Sequence, residues 1–174
     1  MPVLMDLLCH DLDVVFCGTA AGTESAKREQ YYAGPGNRFW KILHQTGLTP
    51  GNEPLSPSRW RELTEHGIGL TDLSKTASGP DSSLPSACFD PDRLRQVIAS
   101  FAPRFLAFNG RAAAKIFLRR PVLPGRQPET ILETAIWVLP STSGAANGTW
   151  DSRPWHEIAQ AILHTKDADR HPSP

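Results

Sequence analysis

Four short stretches of this chain carry residues able to do chemistry, and they read as neighbours. Gly18-Thr19-Ala20-Ala21-Gly22 is a run of five small residues whose backbone N–H groups a ligand can approach closely. Asp72 follows Leu70-Thr71 and brings a carboxylate that could act as general base toward water, or could serve only as a turn residue. Asn109-Gly110 and Pro140-Ser141 add an amide and a hydroxyl, although Asn-Gly is also a turn former. The aromatic pair Tyr31-Tyr32 and the turn cluster Ala33-Gly34-Pro35-Gly36 lie between the first two stretches. Together these offer a proton acceptor, hydrogen-bond donors and an aromatic wall.

The hydrophobic pattern supplies the elements that must position them. Val14, Val15 and Phe16 form a buried strand running into the small-residue loop. Asn37 stands where an N-cap belongs, ahead of Phe39, Trp40, Ile42 and Leu43 at helical spacing, and Gly47 is the stop. Ser56-Pro57 opens a second helix that ends at Gly67, and Ile68 to Leu70 is a very short strand. The run from Lys75 to Phe89 has no periodicity and reads as a long surface loop. Asp90-Pro91 starts a helix with Leu94, Val97, Ile98 and Phe101 on one face, stopped by Pro103. A strand follows over 105–108, then the helix Arg111–Leu118.

Pro121 to Glu129 reads as a Pro/Gly-rich connection, and Ile136 to Leu139 as the last core strand. Asp151-Ser152 caps the final helix, with Trp155, Ile158, Ile162 and Leu163 inward; residues 166–174 form a polar tail expected to be disordered. Residues 1–11 are either a short helix or a frayed arm, with Met5, Leu7 and Leu8 favouring docking against the domain. Strands alternating with helices predict one domain over 1–165, a three-layer α/β/α fold with a central four-stranded parallel sheet. All four chemistry-bearing stretches then fall at carboxyl ends of strands, where such sheets bind ligands.

Composition narrows the classes. With 174 residues, 40% of them hydrophobic, the chain can bury one core. Eighteen basic and eighteen acidic residues cancel, which weighs modestly against nucleic-acid binding without excluding a local basic face. Cys9, Cys17 and Cys88 are scattered and none of the six histidines stands in a motif, so no metal site and no cofactor is expected. No apolar run approaches the ~18 residues of a membrane span. A soluble, cytoplasmic, monomeric protein is the expectation.

Three stretches, in order, carry a resemblance. Gly18 to Gly22 followed by Pro35-Gly36-Asn37-Arg38-Phe39-Trp40, then Gly67-Ile68-Gly69-Leu70-Thr71-Asp72-Leu73, then Leu139-Pro140-Ser141-Thr142-Ser143-Gly144-Ala145-Ala146-Asn147 are similar to the motifs of the uracil-DNA glycosylase superfamily. The mismatch-specific uracil/thymine enzymes and the hypoxanthine-DNA glycosylases are the branches most resembled, over residues 12–165. The resemblance implies a monofunctional, metal-free enzyme that flips a deaminated base out of DNA and hydrolyses its N-glycosidic bond. Uracil is the expected base. Hypoxanthine and a catalytically weak DNA-binding module of the same fold are the alternatives.

The resemblance also implies roles. Tyr32 falls where an aromatic stacks on the flipped base, while Ala20, Ala21, Asn109 and Ser141 fall where the base is held. Ser143, Gly144, Ala145, Ala146 and Asn147 fall where a loop wedges into the duplex. Most members have Asp or Asn at the position of Ala20, where it positions the attacking water, and alanine cannot do this. Asp72 and Asn37 are the candidates to replace it. The hypoxanthine-acting branch likewise lacks that acid and depends on an Asn in the segment matched by Asn37.

Overall fold

The computed structural model describes residues 1–174, the side chain of Asn147 excepted. A five-stranded sheet runs in the order β2-β1-β3-β5-β4, built from β1 (Val14–Gly18), β2 (Ile68–Asp72), β3 (Phe105–Asn109), β4 (Gly125–Ile131) and β5 (Thr134–Leu139). β1, β2, β3 and β5 are parallel, and β4 pairs antiparallel with β5 at one edge. The four parallel strands are those expected. The fifth corrects the expected strand count: β4 begins within the stretch read as a connection and runs past its end at Glu129.

Alternation along β1 explains the three layers. Val14 and Phe16 belong to one core with Phe39, Trp40, Ile42, Leu63, Trp155 and Ile158. Val15 and Cys17 belong to the other, with Leu94, Ile98, Ala114 and Phe117. Helix α1 (Thr23–Arg28) leads toward the first face, which is covered by α2 (Phe39–Gln45), the 3-10 helix Pro57–His66 and α5 (Arg153–Arg170); α3 (Pro91–Phe101) and α4 (Arg111–Leu118) cover the second. Asp90 caps α3 by accepting the Arg93 N–H at 2.9 Å.

The polar stretch 166–170 continues α5, with Lys166 Nζ 3.1 Å from Asp13 and an Arg104–Asp169 ion pair beside it. Residues 1–8 form an arm along β2, where Leu7 and Leu70 exchange N–H···O bonds of 2.9 Å in both directions. Leu4 is the arm's buried anchor, whereas Met5 is exposed.

From β1 the chain builds β2 on one side and β3 on the other. The β1/β3 boundary is therefore a topological switch point, where a crevice opens at the carboxyl ends of the strands.

Candidate active site

A cleft of about 740 Å³ lies over that boundary. It is bordered by the 18–22 loop after β1, Tyr31 and Tyr32, Asp72 at the end of β2, Asn109 at the end of β3 and residues 141–143 beyond β5. The structure thus gathers all four stretches expected to meet. A fifth, from the 75–89 segment, was not foreseen as a wall. Ala21 pairs with Ser78 in an isolated parallel bridge, the Gly79 N–H donating to the Ala21 carbonyl at 2.9 Å. This places Asp81 over the cleft, where its carboxylate accepts from the Thr19 hydroxyl at 3.3 Å. Burial raises the Asp81 carboxyl above its usual range, with the Thr19 hydrogen bond opposing.

Asp72 is 4% exposed and pairs in register with Gly18. Burial pushes its carboxyl up to about 6; Lys75 draws it down, Asp6 raises it and Arg93 opposes. Lys75 Nζ stands 4.0 Å from Asp72 Oδ2 but 2.8 Å from Asp6 Oδ1, so the lysine is committed to the arm. Arg93 donates to Asp6 Oδ2 at 2.9 Å and to the Asp72 carbonyl at 2.7 Å, and the Thr71 hydroxyl donates to Asp6 Oδ1 at 2.7 Å. Asp6 is the hub of this network, and only long-range contacts reveal it.

The tyrosines divide their work. Tyr31 is 2% exposed, packs on Trp60, donates to the Met5 carbonyl at 3.0 Å and accepts from Lys75 Nζ at 3.1 Å. Tyr32 adopts a left-handed φ of 52°, a conformation disfavoured for a bulky side chain. It is held there by ring stacking on Phe39 (3.9 Å between centroids, 28° between planes) and by Trp40 Nε1 donating to its carbonyl at 3.2 Å. Its hydroxyl is buried and makes no hydrogen bond; the Asn109 amide comes close without forming one of good geometry. Burial, reinforced by the Asp72 charge, holds the phenol well above its usual range.

The remaining expected residues have local partners. Asn37 Oδ1 accepts the Phe39 N–H at 3.0 Å in a side-chain turn while lining the cleft; the N-cap of α2 is Arg38, whose carbonyl accepts the Ile42 N–H, and not Asn37 as expected. Asn109 is 8% exposed and clamps the loop beyond β5, Nδ2 donating to Thr142 Oγ1 at 2.8 Å and Oδ1 accepting the Thr142 N–H at 3.0 Å. Ser141 Oγ accepts from the Ser143 N–H at 3.2 Å. Gly144 packs against the Pro35-Gly36 backbone so closely that a Cβ would lie 2.8 Å from the Pro35 carbonyl oxygen. Ala145 and Ala146 form part of the cleft rim, and the side chain of Asn147 lies outside the described residues.

Among the described residues the cleft carries three carboxylates, Glu24, Asp72 and Asp81, and no lysine or arginine. No group of three or more His, Cys, Asp or Glu is placed to hold a metal among the same residues, and no described helix is long and apolar enough to cross a membrane.

A solution NMR structure from Methanosarcina acetivorans, described as that of a candidate uracil DNA glycosylase, shares this fold with a TM-score of 0.64 at 24% identity. The match spans 92% of this chain and 97% of that one. The Uracil DNA glycosylase superfamily model matches residues 5–161, and the chain belongs to that superfamily.

Proposed function

We propose that this protein excises uracil from DNA by hydrolysing its N-glycosidic bond. Family membership supports a DNA glycosylase, and the observation that carries the assignment of roles is the buried Asp72 carboxylate opening onto the cleft beside Tyr32. A cleft of about 740 Å³ accommodates a flipped nucleotide. The base lies along Tyr32, whose other ring face is taken by Phe39. Ionised Asp72 accepts a proton from water as its oxygen bonds to C1′ of the sugar. The glycosidic bond breaks with its electron pair leaving on the base, and N–H groups of the 18–22 loop stabilise that charge. Asn37 helps to orient the water, and Ser141 and Asn109 border the base. The rim loop 143–147 faces the duplex.

A second reading has one feature in its favour. Alanine at position 20 with Asn37 in the cleft wall resembles the hypoxanthine-acting branch, so hypoxanthine is the alternative base.

The test uses end-labelled duplexes carrying uracil, hypoxanthine or no lesion, incubated with excess protein in EDTA. Strand breaks at uracil that need alkali are expected. Breaks at hypoxanthine alone would select the second reading. Duplex binding without excision of either base would make the protein a DNA-binding module.

A further inference from the structure

The ring of Tyr32 is accounted for by Phe39 and the cleft, but its hydroxyl is not. A phenylalanine would make the same stack and leave the same carbonyl for Trp40 Nε1. The hydroxyl is buried without a partner, which costs stability and calls for a compensating use. Its surroundings point to one. A Cβ built on Gly18 would stand 2.6 Å from Asp72 Oδ1 and 3.7 Å from the Tyr32 hydroxyl oxygen, so both groups face the bare Cα of the same glycine. They are not bonded to each other. A water admitted between them would have two polar partners, as a buried water needs.

We propose that the Tyr32 hydroxyl and the Asp72 carboxylate hold the attacking water between them above Gly18. The water accepts the Tyr32 O–H and donates one hydrogen to Asp72, and its remaining lone pair is free for C1′. On attack that donated water proton passes to Asp72, the new C–O bond forms and the base departs with the glycosidic electron pair, so nothing further is required. The assignment rests on the glycosylase reading above and gives Tyr32 a second role beyond stacking. Both phenols near Asp72 stay neutral at working pH, because burial holds Tyr31 and Tyr32 above their usual range. The charged groups facing Asp72 are Lys75, Asp6 and Arg93, and Cys17 beside it is buried and kept as the thiol.

Tyr32→Phe tests this because it keeps the ring and removes only the hydroxyl. Single-turnover excision of uracil should fall by about 10²-fold, within the range for lost water activation. Affinity for a duplex with a non-cleavable 2′-fluoro-deoxyuridine should stay at the wild-type value. The acid limb of the pH–rate profile should move to higher pH, because ionised Asp72 loses its hydrogen-bonded water. Tyr32→Ala should lose affinity for that duplex as well. A Tyr32→Phe enzyme with the rate and pH profile of an active wild type would overturn the water assignment alone, as would equal losses in rate and affinity. A wild type that excised no base would overturn the glycosylase reading and this assignment with it.

Discussion

Gly18 and Asp72 face each other across the parallel β1–β2 pairing, and the carboxylate lies where any side chain on Gly18 would have to go. Gly18→Ala should therefore displace the carboxylate and leave the sheet intact. Excision should drop by about 10²-fold, the scale of a misplaced catalytic group. Thermal unfolding should change little, since the displaced atoms are the end of a side chain. Full activity in Gly18→Ala would show that Asp72 need not occupy its present position.

Asp72→Asn separates catalysis from stability. As the water's base, Asp72 must be ionised, so the wild-type rate should rise with pH through about 6 and then level. The variant should lose about 10²–10⁴-fold in rate. Stability should respond with the opposite sign. The folded protein holds this proton up to about 6 against the ordinary 3.8, so it binds more protons than the unfolded chain between those values. Wild-type stability should then fall across that window and stay lower above it, by roughly 3 kcal/mol for a two-unit shift. The neutral amide of the variant carries no such cost, so at pH 7 the variant should melt higher than wild type. A variant that keeps its rate, together with a wild type fastest below pH 6, would mean that the neutral acid is the working form.

Asn37→Ala removes the acceptor for the Phe39 N–H and should cost about 0.5–1.5 kcal/mol in chemical denaturation. If the amide also orients the water, the rate per folded molecule should fall by about 10²-fold with the acid limb unmoved. An unchanged rate per folded molecule would leave Asn37 as a turn residue ahead of α2 alone.

Asp6→Asn acts on Asp72 through Lys75. Losing the Asp6 charge removes a group that raises the Asp72 carboxyl and frees Lys75 to approach it. The acid limb of the pH–rate profile should shift to lower pH. Stability should drop by about 1–3 kcal/mol as Arg93, Lys75 and Thr71 lose their common acceptor. An unmoved acid limb would show that the arm does not tune the site.

The parallel strands and the helices α3 and α4 were legible because their apolar residues recur at strand or helix period. Helix α4 occupies the expected residues, Arg111–Leu118. The site's location followed from that alternation, since four polar or small-residue stretches had to meet at strand ends. β4 was hidden because an edge strand buries little: only Gln127 and Ile131 of its seven residues are buried, and Pro128 sits within the irregularity between Arg126 and Thr130. The links of Asp6 to Thr71, Lys75 and Arg93 span 65 or more positions and leave no local pattern. Asp81 was hidden for a similar reason, as its segment of short 3-10 turns is shaped by pairing with Ala21. The continuation of α5 depends on ion pairs to Asp13 and Arg104 and not on an apolar stripe.

The arm along β2 also bears on how the molecule behaves in crowded solution. β2 and β4 are the sheet's two margins, and an uncovered margin is a template for a neighbouring chain. At β4, Pro128 and the break in register spoil that template. At β2 the arm performs the task, and it gets close because Gly69 has no side chain: a Cβ there would lie 2.7 Å from the Leu7 carbonyl oxygen. Deleting residues 1–7 should therefore yield protein that self-associates as its concentration rises.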